Sequence, residues 1–207
     1  MSAPLPHPDP LPILRGAQTA RSSDVRDAAL TLFAEWGYHG TSMKDLAEAV
    51  GMRPASLYNH LRGKHDILRD VMLGTSRSVS DEFAAAVAGV DDVAERLWRA
   101  TRVYVLRHAR YRREALIVNR ELTSLQEPVR SEVRALRRAH ERAIRAIIEE
   151  GRKAGRFDVD SPVLASFAIL EMGVSVARWF RQDGSLTAEQ VAEEYADFAV
   201  RIVGGRA

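Results

Sequence analysis

A short polar segment in the first third of the chain carries the side chains best suited to reading hydrogen-bonding groups on another molecule. The segment runs from about Arg53 to Leu61 and has few apolar residues to bury. Its polar members are Arg53, Ser56, Tyr58, Asn59 and His60. Arginine, serine and asparagine side chains donate or accept hydrogen bonds at base edges in the major groove of DNA. The segment is therefore a candidate surface for reading a nucleic acid.

Arrangements that would hold a metal ion or a cofactor are absent from the sequence. His60 and His65 are five residues apart and separated by Gly63, so they cannot share a helix face as the histidines of an HExxH pair do. The sequence contains no GxSxG motif, no phosphate-binding glycine loop and no cysteine nucleophile. We expect no metal, no cofactor and no catalytic residue, and hence no enzyme.

One pair of acidic residues keeps a hydrolytic alternative open. Glu114 and Glu121 lie two turns apart on one predicted helix, close to Arg110, Arg113 and Arg120. This spacing favours ordinary surface ion pairs. A small all-helical hydrolase would instead need two carboxylates that face each other in a polar cleft.

The polar segment follows a short amphipathic helix and a tight turn. Apolar residues recur at helical spacing from Met43 to Val50, and Ser42 with Asp45 can form the capping box that begins this helix. Gly51 suits the left-handed residue that ends it. Pro54 fits the first turn of the next helix, where its missing N–H would be unpaired anyway. A buried helix, a glycine turn and a polar helix make a helix-turn-helix, whose second helix can enter a major groove.

The stretch from Val25 to Leu68 resembles the DNA-binding domain of TetR-family transcriptional repressors. The matching residues are Ala28-Ala29, Leu32-Phe33, Gly37, Gly40-Thr41-Ser42, Leu46-Ala47, Gly51, Ser56-Leu57-Tyr58, Lys64 and Leu68. The match covers about a quarter of the chain, and Leu61 departs from it, since the family usually has phenylalanine there. The alternative is a helical protein-interaction module whose helix-turn-helix contacts no DNA.

The resemblance assigns roles to particular residues. It implies that the helix after Gly51 enters the major groove of double-stranded DNA and that phosphates are held by Tyr58, Lys64 and the Thr41-Ser42 segment. Base edges would be read within this helix. The resulting set of DNA-binding residues is Thr41, Ser42, Arg53, Pro54, Ala55, Ser56, Tyr58, Asn59, His60 and Lys64.

Composition limits the remaining possibilities. The 207 residues contain no cysteine, which excludes a disulfide framework and fits a cytoplasmic protein. No run approaches a membrane-spanning length, so we expect no membrane partner. Residues 1–73 carry 8 Lys+Arg and 8 Asp+Glu, so DNA affinity must come from local placement of Arg53, Arg62 and Lys64.

The chain divides into an arm and two helical domains, an all-α architecture. Residues 1–21 hold five of the eight prolines and predict a disordered arm. Residues 22–73 form the three-helix helix-turn-helix domain. Its first helix begins near Ser22, carries an apolar stripe from Val25 to Trp36 and ends at Gly37 and Gly40. We expect the stripe, including Trp36, to lie in the core. Residues 74–207 form a larger domain for ligand binding and dimerisation.

Two terminal helices predict a subunit interface in the larger domain. A helix after Ser161-Pro162 is apolar nearly all round, and the last helix carries one apolar face. Two copies of this pair would make a four-helix bundle across a two-fold axis, which predicts a homodimer and a palindromic operator. The interface candidates are Val174, Tyr195, Phe198 and Ile202.

The larger domain also carries the candidate ligand-binding residues. His140 is the odd residue on an otherwise apolar helix stripe, either a hydrogen-bonded core histidine or a ligand contact. The stretch ARWFRQDGSLTAEQVAEEY is similar to family members that respond to acyl-coenzyme A thioesters. Arg178, Trp179 and Arg181 could then hold phosphates and adenine. The alternatives are a Trp179 within the dimer core and an uncharged hydrophobic effector.

Positive charge gathers in one part of this domain. Between Arg96 and Arg156 there are 17 Lys+Arg and 7 Asp+Glu, a surplus of 10. The surplus is either a set of solvated helix faces or an attraction for an anionic ligand or DNA.

Overall fold

The computed structural model describes residues 19–58 and 61–205, which contain only helices as regular structure. Most of the proline-rich arm, together with Asn59 and His60, lies outside the described residues. The helices are α1 (Thr19–Gly40), α2 (Met43–Ala49), α3 (Pro54–Tyr58), α4 (Lys64–Val87), α5 (Val93–Arg110), α6 (Arg112–Arg120), α7 (Val129–Lys153), α8 (Pro162–Trp179) and α9 (Ala188–Ile202), with a 3-10 turn at Leu122–Ser124. The predicted all-α class is confirmed.

The chain divides into two compact units. The first comprises the chain up to Ser78 together with Leu116–Val133, and the second comprises Val79–Ala115 and the chain from Arg134 onward. The boundaries fall within α4, α6 and α7. Nothing in the sequence pattern had indicated that residues 116–133 pack with the N-terminal helices.

The core of the first unit is formed by the inward faces of α1 to α4. Phe33, Leu46, Leu57 and Met72 are almost fully buried there, and Ile117 completes the cluster from α6. Burying apolar side chains of this size stabilises the unit by roughly 1.5–3 kcal/mol each, before the cost of ordering the chain.

Two details of α1 depart from the sequence interpretation. The helix begins at Thr19 rather than near Ser22. Trp36, expected in the core, is 57% exposed. It is the last residue before Gly37, whose φ of 79° breaks the helical path, so Trp36 lies on the final turn of the regular helix.

The second unit packs α5 against α8 and α9, with α7 contributing Ile144 and Ile148 to the core. The chain bends between α5 and α6, since α5 ends at Arg110 and α6 begins at Arg112. Between them, Tyr111 takes a non-helical ψ of 52°.

Helix α8 is less enclosed than its composition suggested. Leu164, Phe167 and Trp179 on it are about half or more exposed. The expectation that no run approaches a membrane-spanning length is wrong for this helix, because its 18 residues have a mean hydropathy of 1.2. Core helices of soluble proteins pass the same test, so the observation is weak evidence for a membrane.

Candidate functional site

The predicted capping box begins α2. The Ser42 hydroxyl accepts the Asp45 N–H at 3.1 Å, and the Asp45 carboxylate accepts the Ser42 N–H at 2.7 Å. The Ser42 N–H, together with the Ser42 side chain, stabilises the charged carboxylate and holds the pKa of Asp45 below its usual value. The reciprocal bonds satisfy two backbone N–H groups that the start of a helix leaves without partners.

The turn that follows α2 orients α3 as the sequence predicted. Gly51 adopts a φ of 64°, a conformation that residues with a Cβ rarely take, and Pro54 is the first residue of α3. Leu57 anchors this short helix, because its side chain is only 1% exposed.

The outward face of α3 carries the predicted DNA-contacting residues. Arg53, Pro54 and Ala55 are exposed, Tyr58 is 55% exposed and Ser56 is half-buried. This small helix and Arg53, the residue before it, therefore present a cation, a phenol and a hydroxyl away from the core. Asn59 and His60 belong to the predicted set but lie outside the described residues.

Lys64 and Thr41 have internal partners in this structure. The Lys64 Nζ atom donates to the carbonyl oxygens of Tyr38 at 2.7 Å and Thr41 at 2.6 Å, and it lies 4.4 Å from the centre of the Tyr38 ring. Thr41 is buried, and its hydroxyl donates to the Gly37 carbonyl oxygen at 3.0 Å. A lysine ammonium has three donors, so one N–H of Lys64 is left for a phosphate.

The backbone donors of the Thr41-Ser42 segment are also engaged. The Thr41 N–H donates to the Tyr38 carbonyl oxygen at 3.4 Å, and the Ser42 N–H is bound by Asp45. The Ser42 hydroxyl accepts the Asp45 N–H and keeps its own O–H to donate. Of this segment, Ser42 is thus the residue with a donor suited to a phosphate.

Two side chains that the sequence interpretation missed, Arg120 and Glu121, form hydrogen bonds with backbone groups near the end of α1. Arg120 donates to the carbonyl oxygens of Phe33 at 3.0 Å and Ala34 at 2.6 Å, which lie in the last turn before the Gly37 break. Glu121, only 9% exposed, accepts the Tyr38 N–H at 3.2 Å. The interpretation of Glu121 as part of a surface ion pair is therefore wrong. No periodic or motif signal links residues 83 positions apart.

The second unit contains a buried ion pair between α4 and α5. Glu82 and Arg107 form it, with side chains only 8% and 3% exposed. Burial raises the pKa of Glu82 above its usual value, while the arginine opposes that shift. Within residues 19–58 and 61–205, Glu82 Oε2 and the Arg107 Nε and Nη2 atoms have no hydrogen-bond partner.

His140 lies beside this ion pair in a group of aromatic rings. Its ring centre is 5.0 Å from that of Tyr104 and 5.3 Å from that of Phe83. Desolvation, with a smaller contribution from His108, lowers the pKa of His140 to about 4, so the ring is neutral at pH 7. The expectation of a hydrogen-bonded core histidine is wrong in one respect: neither ring nitrogen has a hydrogen-bond partner in the described part of the chain.

These side chains surround a narrow gap that has no space for a water molecule. It is lined by Val79, Glu82, Phe83, Val103, Tyr104, Arg107 and His140. Buried polar groups almost always have a partner, so several unsatisfied atoms around one gap mark a site where a ligand could supply the missing hydrogen bonds.

The other candidate ligand contacts lie in a different place. Arg178 and Arg181 are exposed at the end of α8, and Trp179 is 45% exposed. The Trp179 ring is 6.2 Å from that of Tyr195, which in turn is 5.8 Å from Phe198. The structure thus groups Trp179 with the predicted interface residues rather than with His140.

The predicted interface residues share an exposed region of α8 and α9. Phe198 and Ile202 are 38% and 42% exposed, and Val174 and Tyr195 are half-buried. Together with Trp179, they form an apolar face on these two helices.

Ion pairs neutralise much of the positive charge between Arg96 and Arg156. The arginines paired with carboxylates are Arg96, Arg99, Arg102, Arg107, Arg110, Arg130, Arg145 and Arg156. Apart from Glu82–Arg107 and Arg145–Glu141, each pair has at least one side chain that is 46% or more exposed, which favours the interpretation of solvated helix faces.

Two protein-domain families each match a part of this chain. Residues 25–71 match "Bacterial regulatory proteins, tetR family", and residues 90–203 match "Tetracyclin repressor-like, C-terminal domain". The HTH-type transcriptional repressor KstR2 of Rhodococcus jostii (strain RHA1) is 30% identical over 188 residues, which cover 86% of this chain and 88% of that protein.

Solved structures show the same architecture. A bacterial regulatory protein in the tetR family from Rhodococcus RHA1 superposes with a TM-score of 0.81 at 30% identity, covering 92% of this chain and 100% of the other. AibR in complex with isovaleryl coenzyme A and operator DNA superposes with a TM-score of 0.76 at 26% identity, covering 86% and 97%.

Proposed function

Because the chain belongs to the TetR family of DNA-binding transcriptional repressors, we propose that it binds a palindromic operator as a homodimer and is released by a small-molecule effector, an acyl-coenzyme A thioester. The members of this family are transcriptional regulators, not enzymes. Such regulators act in the cytoplasm, which we propose for this chain also.

The observation that carries the DNA-binding proposal is the exposed face of α3 on a capped, well-packed helix-turn-helix. Arg53 can donate two hydrogen bonds to a guanine edge, and the Ala55 methyl group can contact a thymine methyl group. Tyr58, Ser42 and the remaining N–H of Lys64 are the proposed phosphate contacts. Asn59 and His60 complete the proposed set.

The homodimer is proposed from the exposed apolar face of α8 and α9. Val174, Tyr195, Phe198 and Ile202 would pack against the same residues of a second copy across a two-fold axis. Exposed apolar side chains that lie together on two helices are typical of such interfaces.

The acyl-coenzyme A proposal draws on AibR, whose structure contains isovaleryl coenzyme A together with operator DNA. In this chain, Arg178 and Arg181 are the proposed phosphate contacts and Trp179 the proposed adenine contact. His140 is the proposed contact for the acyl part, because it lies at an internal gap. Trp179 could instead serve the dimer interface, given its neighbour Tyr195.

One experiment tests both parts of the proposal. Bound sequences are first selected from random DNA with the full chain, and a palindrome is the expected product. A set of acyl-coenzyme A esters and the matching free acids is then screened for release of that DNA. Failure to enrich any sequence would contradict the DNA-binding proposal, and release by free acids alone would contradict the thioester. Full response in an Arg178→Ala, Arg181→Ala double variant would exclude those two contacts.

A further inference from the structure

The gap beside His140 is lined by hydrogen-bond donors and by hydrogen-bond acceptors that have no partner among the described residues. The Arg107 Nε and Nη2 atoms are donors, Glu82 Oε2 is an acceptor, and the neutral His140 ring offers one of each, all without a partner among the described residues. These side chains come from three helices and line the same gap. A bound group could therefore both accept and donate here.

The net charge of this site restricts what can bind. Glu82 already neutralises Arg107 in a pair that is almost fully buried. His140 carries no charge at pH 7, because its pKa is lowered to about 4. An anionic group would bring an uncompensated charge beside Glu82 in a desolvated place, which is strongly unfavourable. An uncharged oxygen would instead gain hydrogen bonds to charged partners at little electrostatic cost.

The shape of the site restricts the bound group further. Phe83, Val79, Val103 and Tyr104 supply an apolar lining around the polar atoms. The gap has no space for a water molecule, so the side chains must separate to admit any group.

We propose that the Glu82–Arg107–His140 site binds an uncharged, oxygen-bearing group of the effector, a carbonyl or hydroxyl on an apolar frame. The carbonyl oxygen accepts from Arg107, and a hydroxyl donates to Glu82 Oε2. This inference rests on the proposed effector-responsive function and specifies the buried part of that effector. The coenzyme A phosphates cannot occupy this site.

Four probes on one benzene frame test the inference with the full chain. Acetophenone carries a neutral carbonyl, benzyl alcohol a hydroxyl, toluene no polar group and benzoate a carboxylate. Their affinities are measured by saturation-transfer NMR, and the ring nitrogens of ¹⁵N-labelled histidine report contact with His140. We expect acetophenone and benzyl alcohol to bind about tenfold or more tightly than toluene, because hydrogen bonds to charged partners discriminate by at least that factor. Benzoate should bind more weakly than either.

Two variants keep the test independent of folding. His140→Leu removes a buried polar group that has no partner in the described chain, so it should not lower the thermal midpoint. The Glu82→Leu, Arg107→Met double variant replaces both partners of the buried pair with apolar groups, which proteins often tolerate. Both variants should bind toluene at least as well as the wild type. The double variant should lose the preference for the oxygen-bearing probes, whereas His140→Leu, which keeps Glu82 and Arg107, should retain it.

The inference is overturned if benzoate binds as tightly as acetophenone, or if toluene does. It is also overturned if the preference for acetophenone survives in the double variant. Operator binding by the same preparations, measured without a probe, tests the proposed function separately. If the wild-type chain binds its operator but shows no preference among the probes, this inference alone is overturned.

Discussion

The Glu121 carboxylate accepts the backbone N–H of Tyr38 at 3.2 Å, although the two residues are 83 positions apart in the chain. Tyr38 follows Gly37, whose positive φ introduces a kink within the last four residues of α1, before the chain reaches α2. Leaving the regular helix exposes backbone groups that need new partners. Glu121 supplies one, and the neighbouring Arg120 binds two carbonyl oxygens of α1. The C-terminal end of α6 is thus part of the DNA-binding unit.

Removal of the Glu121 carboxylate should destabilise this unit. In Glu121→Ala the Tyr38 N–H loses its partner, at a cost of about 1–3 kcal/mol. Denaturant unfolding should show this loss, and hydrogen exchange at the Tyr38 amide should accelerate. Glu132→Ala is the matched control, because it removes an exposed ion pair with Arg77 and should change stability by less than about 1 kcal/mol. Equal effects of the two substitutions would show that the contact contributes nothing specific.

Substitutions on α3 should weaken DNA binding without loss of stability. Arg53 and Tyr58 are exposed, so Arg53→Ala and Tyr58→Phe remove no buried contact. Arg53→Ala should relax discrimination at particular base pairs, whereas Tyr58→Phe should weaken binding to all sequences. Affinity for the selected operator is measured by fluorescence anisotropy, with exposed Arg77→Ala as control.

Lys64→Ala should affect both DNA affinity and stability. Two carbonyl oxygens lose their donor, and one ionic phosphate contact per subunit is removed. Loss of each such contact should flatten the plot of log K against log salt by ~0.9. If the plot keeps its slope in this variant, Lys64 serves only to hold the turn between α1 and α2.

Short-range features of this fold could be predicted from sequence, and long-range ones could not. Ser42 with Asp45 and the turn at Gly51 were predicted because each depends on residues within a few positions of one another. The hydrogen bond of Glu121 with Tyr38 and the ion pair of Glu82 with Arg107 depend on which helices meet. Neither contact leaves a periodic pattern in the sequence. The expected burial of Trp36 was wrong for the same reason. Its spacing matches the buried stripe, but a side chain is buried only where another element packs against it.

The two buried histidines should make stability fall between pH 7 and pH 5. Desolvation lowers the pKa of both His108 and His140 to about 4, while an unfolded histidine titrates near 6.5. The unfolded chain therefore binds more protons in this window, so the folded state loses stability as pH falls. Each histidine should cost about 2 kcal/mol by pH 5. Unfolding free energies at several pH values check this, and His140→Leu should remove about half of the slope. An unchanged slope would mean that His140 does not titrate as a buried group.

Gly173 should be intolerant of alanine because of Tyr104. A Cβ at Gly173 would lie 2.7 Å from Tyr104 Cδ1, and the Tyr104 ring is held between His108 and His140. Overpacking of this kind costs about 1–3 kcal/mol. Gly74→Ala in α4 is the control, since its Cβ would meet nothing within 4 Å and should gain about 0.5–1 kcal/mol. Thermal unfolding that shows the same shift for both variants would contradict the close packing of Tyr104.

A charge introduced on α9 should dissociate the homodimer. Phe198 is 38% exposed beside Tyr195 on the proposed interface, and two-fold symmetry places each substitution in the interface twice. Phe198→Glu should therefore convert a particle of twice 23.0 kDa to a monomer in sedimentation velocity at micromolar concentration. Ala139→Glu, at an exposed position of α7, is the control and should leave the dimer intact.

The dimer should protect two half-sites one or more helical turns apart, ~34–36 Å for each turn. A wild-type chain that sediments as a monomer and still protects such a palindrome would exclude the interface.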